Sequence, residues 1–186
     1  MSYTLIIIFI AVFIPAVWLV SAYNGLVRRR YNAKEALSDI DVQLKRRFDL
    51  IPNLVETVKG YLKHEKEVLE NITKARASVS TGGENPLERV RAEDALSNTL
   101  KTLFAVSENY PDLKANANFL DLQRELSDTE NKIQASRRFY NVNVMELNTM
   151  IKTFPTNTIA GWLGFKEEKF FEVKEAAEKE PVKVKF

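Results

Sequence analysis

Residues 1–27 contain no Asp, Glu, Lys, Arg or His, although 28% of the chain is charged. Within that stretch, Leu5 to Tyr23 read LIIIFIAVFIPAVWLVSAY. A helix over these residues is about 30 Å long at ~1.5 Å per residue, the thickness of a bilayer's hydrocarbon core. Leu5, Phe9 and Phe13 give the segment bulk. Pro15 sits mid-span, which membrane helices tolerate. Trp18 and Tyr23 fall near one end, where amphipathic rings favour the headgroup level. The sequence therefore predicts a single-pass transmembrane anchor over residues 1–25. A cleaved signal peptide is the competing reading. It requires a basic leader, a shorter apolar core and a small-x-small site; here no Lys or Arg precedes the run, and Ser21-Ala22 is a weak cleavage signal.

Charge asymmetry orients such an anchor. Arg28, Arg29, Arg30 and Lys34 follow the span directly. Basic clusters resist translocation, so the bulk of the chain is expected in the cytoplasm at the cell membrane; the opposite orientation is the alternative, since large domains translocate despite flanking charge. The 27 basic and 25 acidic residues nearly cancel, which leaves no field to drive nucleic-acid binding. There is no Cys, so thiolate metal sites and disulfides are excluded.

Beyond the span the apolar residues recur at helical spacing. Ala33, Leu37, Ile40, Leu44, Phe48, Ile51, Val55, Val58, Leu62, Leu69 and Ile72 form one stripe over residues 26–79, with a kink expected around Phe48–Pro52. Ser80 to Pro86 is a breaker cluster. Helices are expected from Leu87 to Asn109, ended by Tyr110-Pro111-Asp112, and from Lys114 to Lys152, stopped by Phe154-Pro155. Thr156-Asn157-Thr158 is placed to cap a short helix with Ile159 and Ala160. Lys166 to Lys179 reads as mildly helical, and 180–186 as a tail. The fold class is all-α: a transmembrane helix followed by an elongated antiparallel bundle of about four helices, coiled-coil-like in its packing, with long helices over 26–153 and an aromatic-rich helical cap over 154–179.

The stretch IDVQLKRRFDLIPNLVETVKGYLKH at residues 40–64 resembles the LemA family of bacterial membrane proteins. Tyr23-Asn24-Gly25-Leu26-Val27, Arg137-Arg138-Phe139-Tyr140-Asn141, Phe154-Pro155 with Gly164-Phe165, and the closing Pro181-Val182-Lys183-Val184-Lys185-Phe186 match as well. Arg29-Arg30-Tyr31-Asn32 stands where the family more often has an arginine-asparagine run. The resemblance implies antiparallel helices behind one transmembrane helix and no particular reaction. It also implies, by genomic neighbourhood, a link to a membrane zinc metalloprotease and to membrane quality control.

Several residues invite a functional reading. Asp39, Asp41, Lys45, Arg46, Arg47, Asp49 and Asn53 make the most charged block, most simply a solvated helix face with Asp41–Lys45 and Arg46–Asp49 pairs, and Gln43 and Pro52 join them in the family-like stretch. Arg47 differs, because it lies on the apolar stripe between Leu44 and Ile51. Glu130 and Arg137 interrupt the stripe of the last long helix in the same way. A desolvated charge needs a partner. We therefore expect a polar layer in which Arg47 pairs with an acid such as Glu130, Arg137 meets an acid or carbonyls, and helix register is fixed. Trp162, Phe165, Phe170 and Phe171 are expected to fold back as a cap, with a partner or membrane-surface patch as the alternative. His64-Glu65 lacks the second His a zinc helix needs, position 68 being Val68, and His64 is the sole His. No phosphate loop or nucleophile elbow is present. The expectation is no enzyme, no cofactor and no metal, but a scaffold or adaptor acting on other membrane proteins or on copies of itself, with a membrane-remodelling protein as runner-up.

Overall fold

The first helix, α1, runs from Ser2 to Lys59 through the uncharged segment and onward without interruption. The computed structural model describes residues 2–81 and 86–171. The other helices are α2 (Lys66–Thr81), α3 (Pro86–Ser107), α4 (Pro111–Lys114), α5 (Ala117–Lys152) and α6 (Asn157–Ala160), and no strand occurs among the described residues. The protein is all-α, with one long apolar N-terminal helix.

α1 remains helical through both Pro15 and Pro52, each exposed. The helix expected to reach residue 79 instead ends at Lys59. Gly60 costs about 1 kcal/mol more than Ala in a helix, and Tyr61 N–H and Leu62 N–H both turn back to Val58 O at 3.0 and 2.9 Å. Burial of Leu62 fixes the turn, and α2 starts afresh at Lys66. The Tyr110-Pro111-Asp112 breaker likewise opens a one-turn helix, with Pro111 in its first turn, where the missing N–H is harmless. α5 then begins at Ala117 rather than Lys114, because Asn116 caps it: its Oδ1 accepts the Phe119 N–H at 3.0 Å. Residues 166–171 are not helical, contrary to expectation. They are held in another way, described below. Residues 82–85 of the breaker cluster, the rest of the expected 166–179 helix and the tail 180–186 lie outside the described residues.

The chain divides into two compact units. The unit of residues 41–133 is built on the predicted stripes. Ile51, Leu54, Val58 and Leu62 pack with Ile72 of α2, Leu96, Leu100 and Leu103 of α3, Leu113 of α4, and Phe119 and Leu126 of α5. Ala95, assigned to the apolar side of α3, is exposed, and Glu93 is buried. Tyr110 Oη donates to Glu65 Oε1 at 3.2 Å, and Asn116 Nδ2 donates to Tyr61 Oη at 3.0 Å, so both turns are tied by side chains. Burial, then the Glu65 carboxylate, raises the Tyr110 hydroxyl above its ordinary value.

The unit of residues 1–40 and 134–186 has a smaller core of Leu26, Leu147, Ala160 and Phe165. Ala33 and Ile40 of the predicted stripe are buried, but Ala36 takes the inward position and Leu37 is exposed. Here α1 and α5 run antiparallel: Arg29 pairs with Glu146, and Met150 Cε lies 2.8 Å from where a Cβ on Gly25 would sit.

Asn116→Ala should cost about 1 kcal/mol, the usual loss of an N-cap. A thermal melt followed by circular dichroism, with Asn116→Asp as the conservative control, checks this.

Candidate functional site

Arg47 is the largest of the fully buried side chains, with 1% of its surface exposed. It projects from α1 into a layer made by α3 and α5. Its Nη2 is paired with Glu93, and its Nη1 donates to Glu130 Oε2 and Ser97 Oγ, each at 2.7 Å. Ser97 Oγ in turn donates to Glu130 Oε2 at 3.3 Å. The planar fork thus spans acids on two helices, a geometry a Lys cannot reproduce. Two carboxylates face one cation. Glu93 is sealed in, whereas a third of the Glu130 side chain reaches water. Around this layer, Arg46 reaches Glu125 at 3.6 Å and Lys45 reaches Asp49 at 3.1 Å. Asp128 bonds Lys132 at 2.8 Å, which lowers its carboxyl below the ordinary range, with the Arg46 charge adding less. Asp41, Pro52 and Asn53 are exposed, and Gln43 is half-buried.

Glu93 and Ser97 were not among the sequence-derived candidates. The signal existed for Glu93: it falls three residues before Leu96 and seven before Leu100, on the α3 stripe, the same anomaly that marks Arg47.

A second site lies in the other unit, where residues 166–171 are strapped along α5. Asn148 Nδ2 donates to Glu168 O at 2.9 Å, and its Oδ1 accepts the Glu168 N–H at 3.0 Å. Asn141 does the same to Phe171, at 3.0 and 2.7 Å. Seven helical residues span about 10.5 Å, and three extended residues about 10 Å. Two Asn residues two turns apart therefore match two peptide groups three residues apart, and the helix face acts as the edge of a strand. Tyr140 Oη donates to Lys169 O at 3.0 Å. Burial, then Glu168, raises the Tyr140 hydroxyl above its ordinary value. Phe171 closes the strap, edge-on to Tyr140 at 6.2 Å and under the guanidinium of buried Arg137 at 4.8 Å. The expectation that Arg137 meets an acid or carbonyls did not include this ring.

The aromatic segment thus has two fates. Phe165 is buried as cap, edge-on to Tyr23 at 6.1 Å, and Phe171 is half-buried, but Trp162 and Phe170 point outward. The turn that separates them is a Schellman motif: Phe165 N–H reaches Ala160 O at 2.9 Å, Gly164 N–H reaches Gly161 O at 3.2 Å, and Gly164 has φ +76°. The left-handed residue turns Phe165 onto Ala160 and leaves Trp162 on the outside. Thr156 precedes α6, as expected, but makes no side-chain capping bond.

The model of the LemA family matches residues 36–186. The chain belongs to the LemA family. It is similar to Protein LemA of Metamycoplasma hominis, with 32% identity over 155 residues, 82% of this chain and 69% of that protein. It is also similar to Magnetosome protein MamQ of Magnetospirillum gryphiswaldense, with 23% identity over 86% of this chain and 68% of the relative, and to Magnetosome protein MamQ 2 of Paramagnetospirillum magneticum, with 24% identity over the same shares. Both sites of this LemA-family chain lie within the matched residues.

Arg47→Ala leaves a buried carboxylate uncompensated and should cost about 3–5 kcal/mol, a fall in Tm on the order of 10 °C for a chain of this size. Arg47→Met combined with Glu93→Leu should recover much of that loss, and a melt in which the double variant is no better than the single one refutes the pairing. For the strap, Asn141→Leu removes two hydrogen bonds and should speed tryptic cleavage at Lys169. The Tyr140 hydroxyl titrates higher in the folded chain than in the unfolded one, so its stabilisation is complete below about pH 10 and disappears as pH rises through the raised value. Cleavage within 166–171 by subtilisin, which needs no charged Lys and works in alkali, should therefore accelerate as pH rises through that value, and Tyr140→Phe should abolish that dependence.

Proposed function

We propose that this chain is a membrane-anchored helical scaffold or adaptor that works by contact with other membrane proteins. The observation that carries the anchor is on α1: its large apolar residues from Leu5 to Val20 are 44–66% exposed, Trp18 excepted, so nothing in the described chain covers them. α1 is long and apolar enough to cross a membrane, with a mean hydropathy of 2.8 over its best window. Arg28, Arg29, Arg30 and Lys34 directly after the span favour a cytoplasmic position for the rest of the chain.

Contact as the mode of action is supported by what the fold leaves outside. The 26–59 stripe is largely spent on the core. Phe139, Val142 and Met145 instead form an exposed apolar strip on α5, in the unit that contains the anchor. We assign this strip to a partner, which is another membrane protein, such as the metalloprotease suggested by the family resemblance, or a second copy.

A photo-crosslinking residue at Val142 of the full chain, irradiated in native membranes, should give a discrete protein adduct identifiable by mass spectrometry. The same residue at exposed Asn98 on α3 is the control. Equal adduct yield at both positions refutes the strip as a contact surface.

A further inference from the structure

We propose that the tip formed by the end of α5 and the α6 turn is a second lipid contact, inserting Phe154, Trp162 and Leu163 into the headgroup boundary of the bilayer that holds α1. The inference rests on the anchored reading of α1 and adds a surface to it.

Placement comes from the packing inside one unit. α5 runs antiparallel to α1 and draws level with Gly25 at Met150. Its last residues and Phe154 therefore continue toward the depth of Ser21 and Ala22, at the end of the apolar run. The turn after α6 is fixed at the same depth, because Ala160 and Phe165 share a core with Leu26 and Phe165 meets the Tyr23 ring. Residues 23–26 are where a span beginning near Leu5 leaves the hydrocarbon, after about 20 residues.

The chemistry agrees. Residues 153–165, TFPTNTIAGWLGF, contain no charged residue between Lys152 and Lys166, in a chain that is 28% charged. Trp162 is 91% exposed and Phe154 77%, with Leu163 exposed beside them. The Schellman turn buries Phe165 and holds Trp162 out, so this exposure is built by the backbone and not left over from poor packing. Trp is the residue most suited to the headgroup level, with an apolar body and one N–H donor. Lipid is favoured over a protein partner because the tip is continuous in depth with the exposed apolar surface of α1, and because Arg28, Arg29 and Arg30 lie within about two turns, where anionic headgroups sit.

The chain has two Trp residues, Trp18 in the span and Trp162 in the tip, so each can be read alone. Full-length Trp18→Phe and Trp162→Phe variants are reconstituted into vesicles of phosphatidylcholine brominated either near the headgroup or near the chain end. Trp162, read in the Trp18→Phe variant, should shift its emission to the blue and lose intensity, more with bromine near the headgroup. Trp18, read in the Trp162→Phe variant, should be quenched in both lipids. Quenching of Trp18 with unshifted, unquenched Trp162 overturns the lipid-contacting tip and leaves the anchor standing. Failure to quench either ring overturns both.

Discussion

A guanidinium taken out of water must be met from more than one side, and in the unit of residues 41–133 that requirement falls on Arg47. Its two terminal nitrogens are met only if α3 presents Glu93 and Ser97 while α5 presents Glu130. Apolar stripes slide past one another at modest cost, since Leu and Ile neighbours are interchangeable to a first approximation. A buried cation with two acids is not tolerant in this way: one residue of slip leaves charges unpaired, at several kcal/mol each. The layer therefore selects one register among the many that Ile51, Leu96 and Leu126 would accept.

The other unit solves a different problem with neutral groups. Residues 166–171 have too little periodic apolar character to form a packed helix, yet their peptide groups need partners. Asn141 and Asn148 supply a donor and an acceptor each, at a spacing set by the helix pitch. They bind main chain, whereas Phe171 is gripped through its ring, by Tyr140 and Arg137, and Glu167 through its carboxylate, by Lys152.

These arrangements share a character. Charges and amides hold helices and segments together at Arg47, Asn141 and Asn148, and among the outward residues three groups are apolar: the α1 span, the Phe139–Met145 strip and the Trp162 turn.

The sequence by itself determined the class of structure. An uncharged apolar run as long as a bilayer is thick gives a helix long and apolar enough to cross a membrane, and stripes of period 3.6 point to helices. It also marked Arg47 as buried, since its position on the stripe follows from helix pitch without knowledge of any neighbour. Glu93 carries the same mark on the α3 stripe. The sequence could not show that Lys59 ends α1, because Gly60 is permissive of a turn and not a command; burial of Leu62 decides it. Nor could it pair Asn141 with Phe171: an amide that binds a main-chain peptide leaves no matching residue type elsewhere in the chain. Only the tertiary structure separated Phe165 from Trp162. Both are aromatic and three residues apart, and the left-handed turn at Gly164 sends one inward and leaves the other to the surroundings.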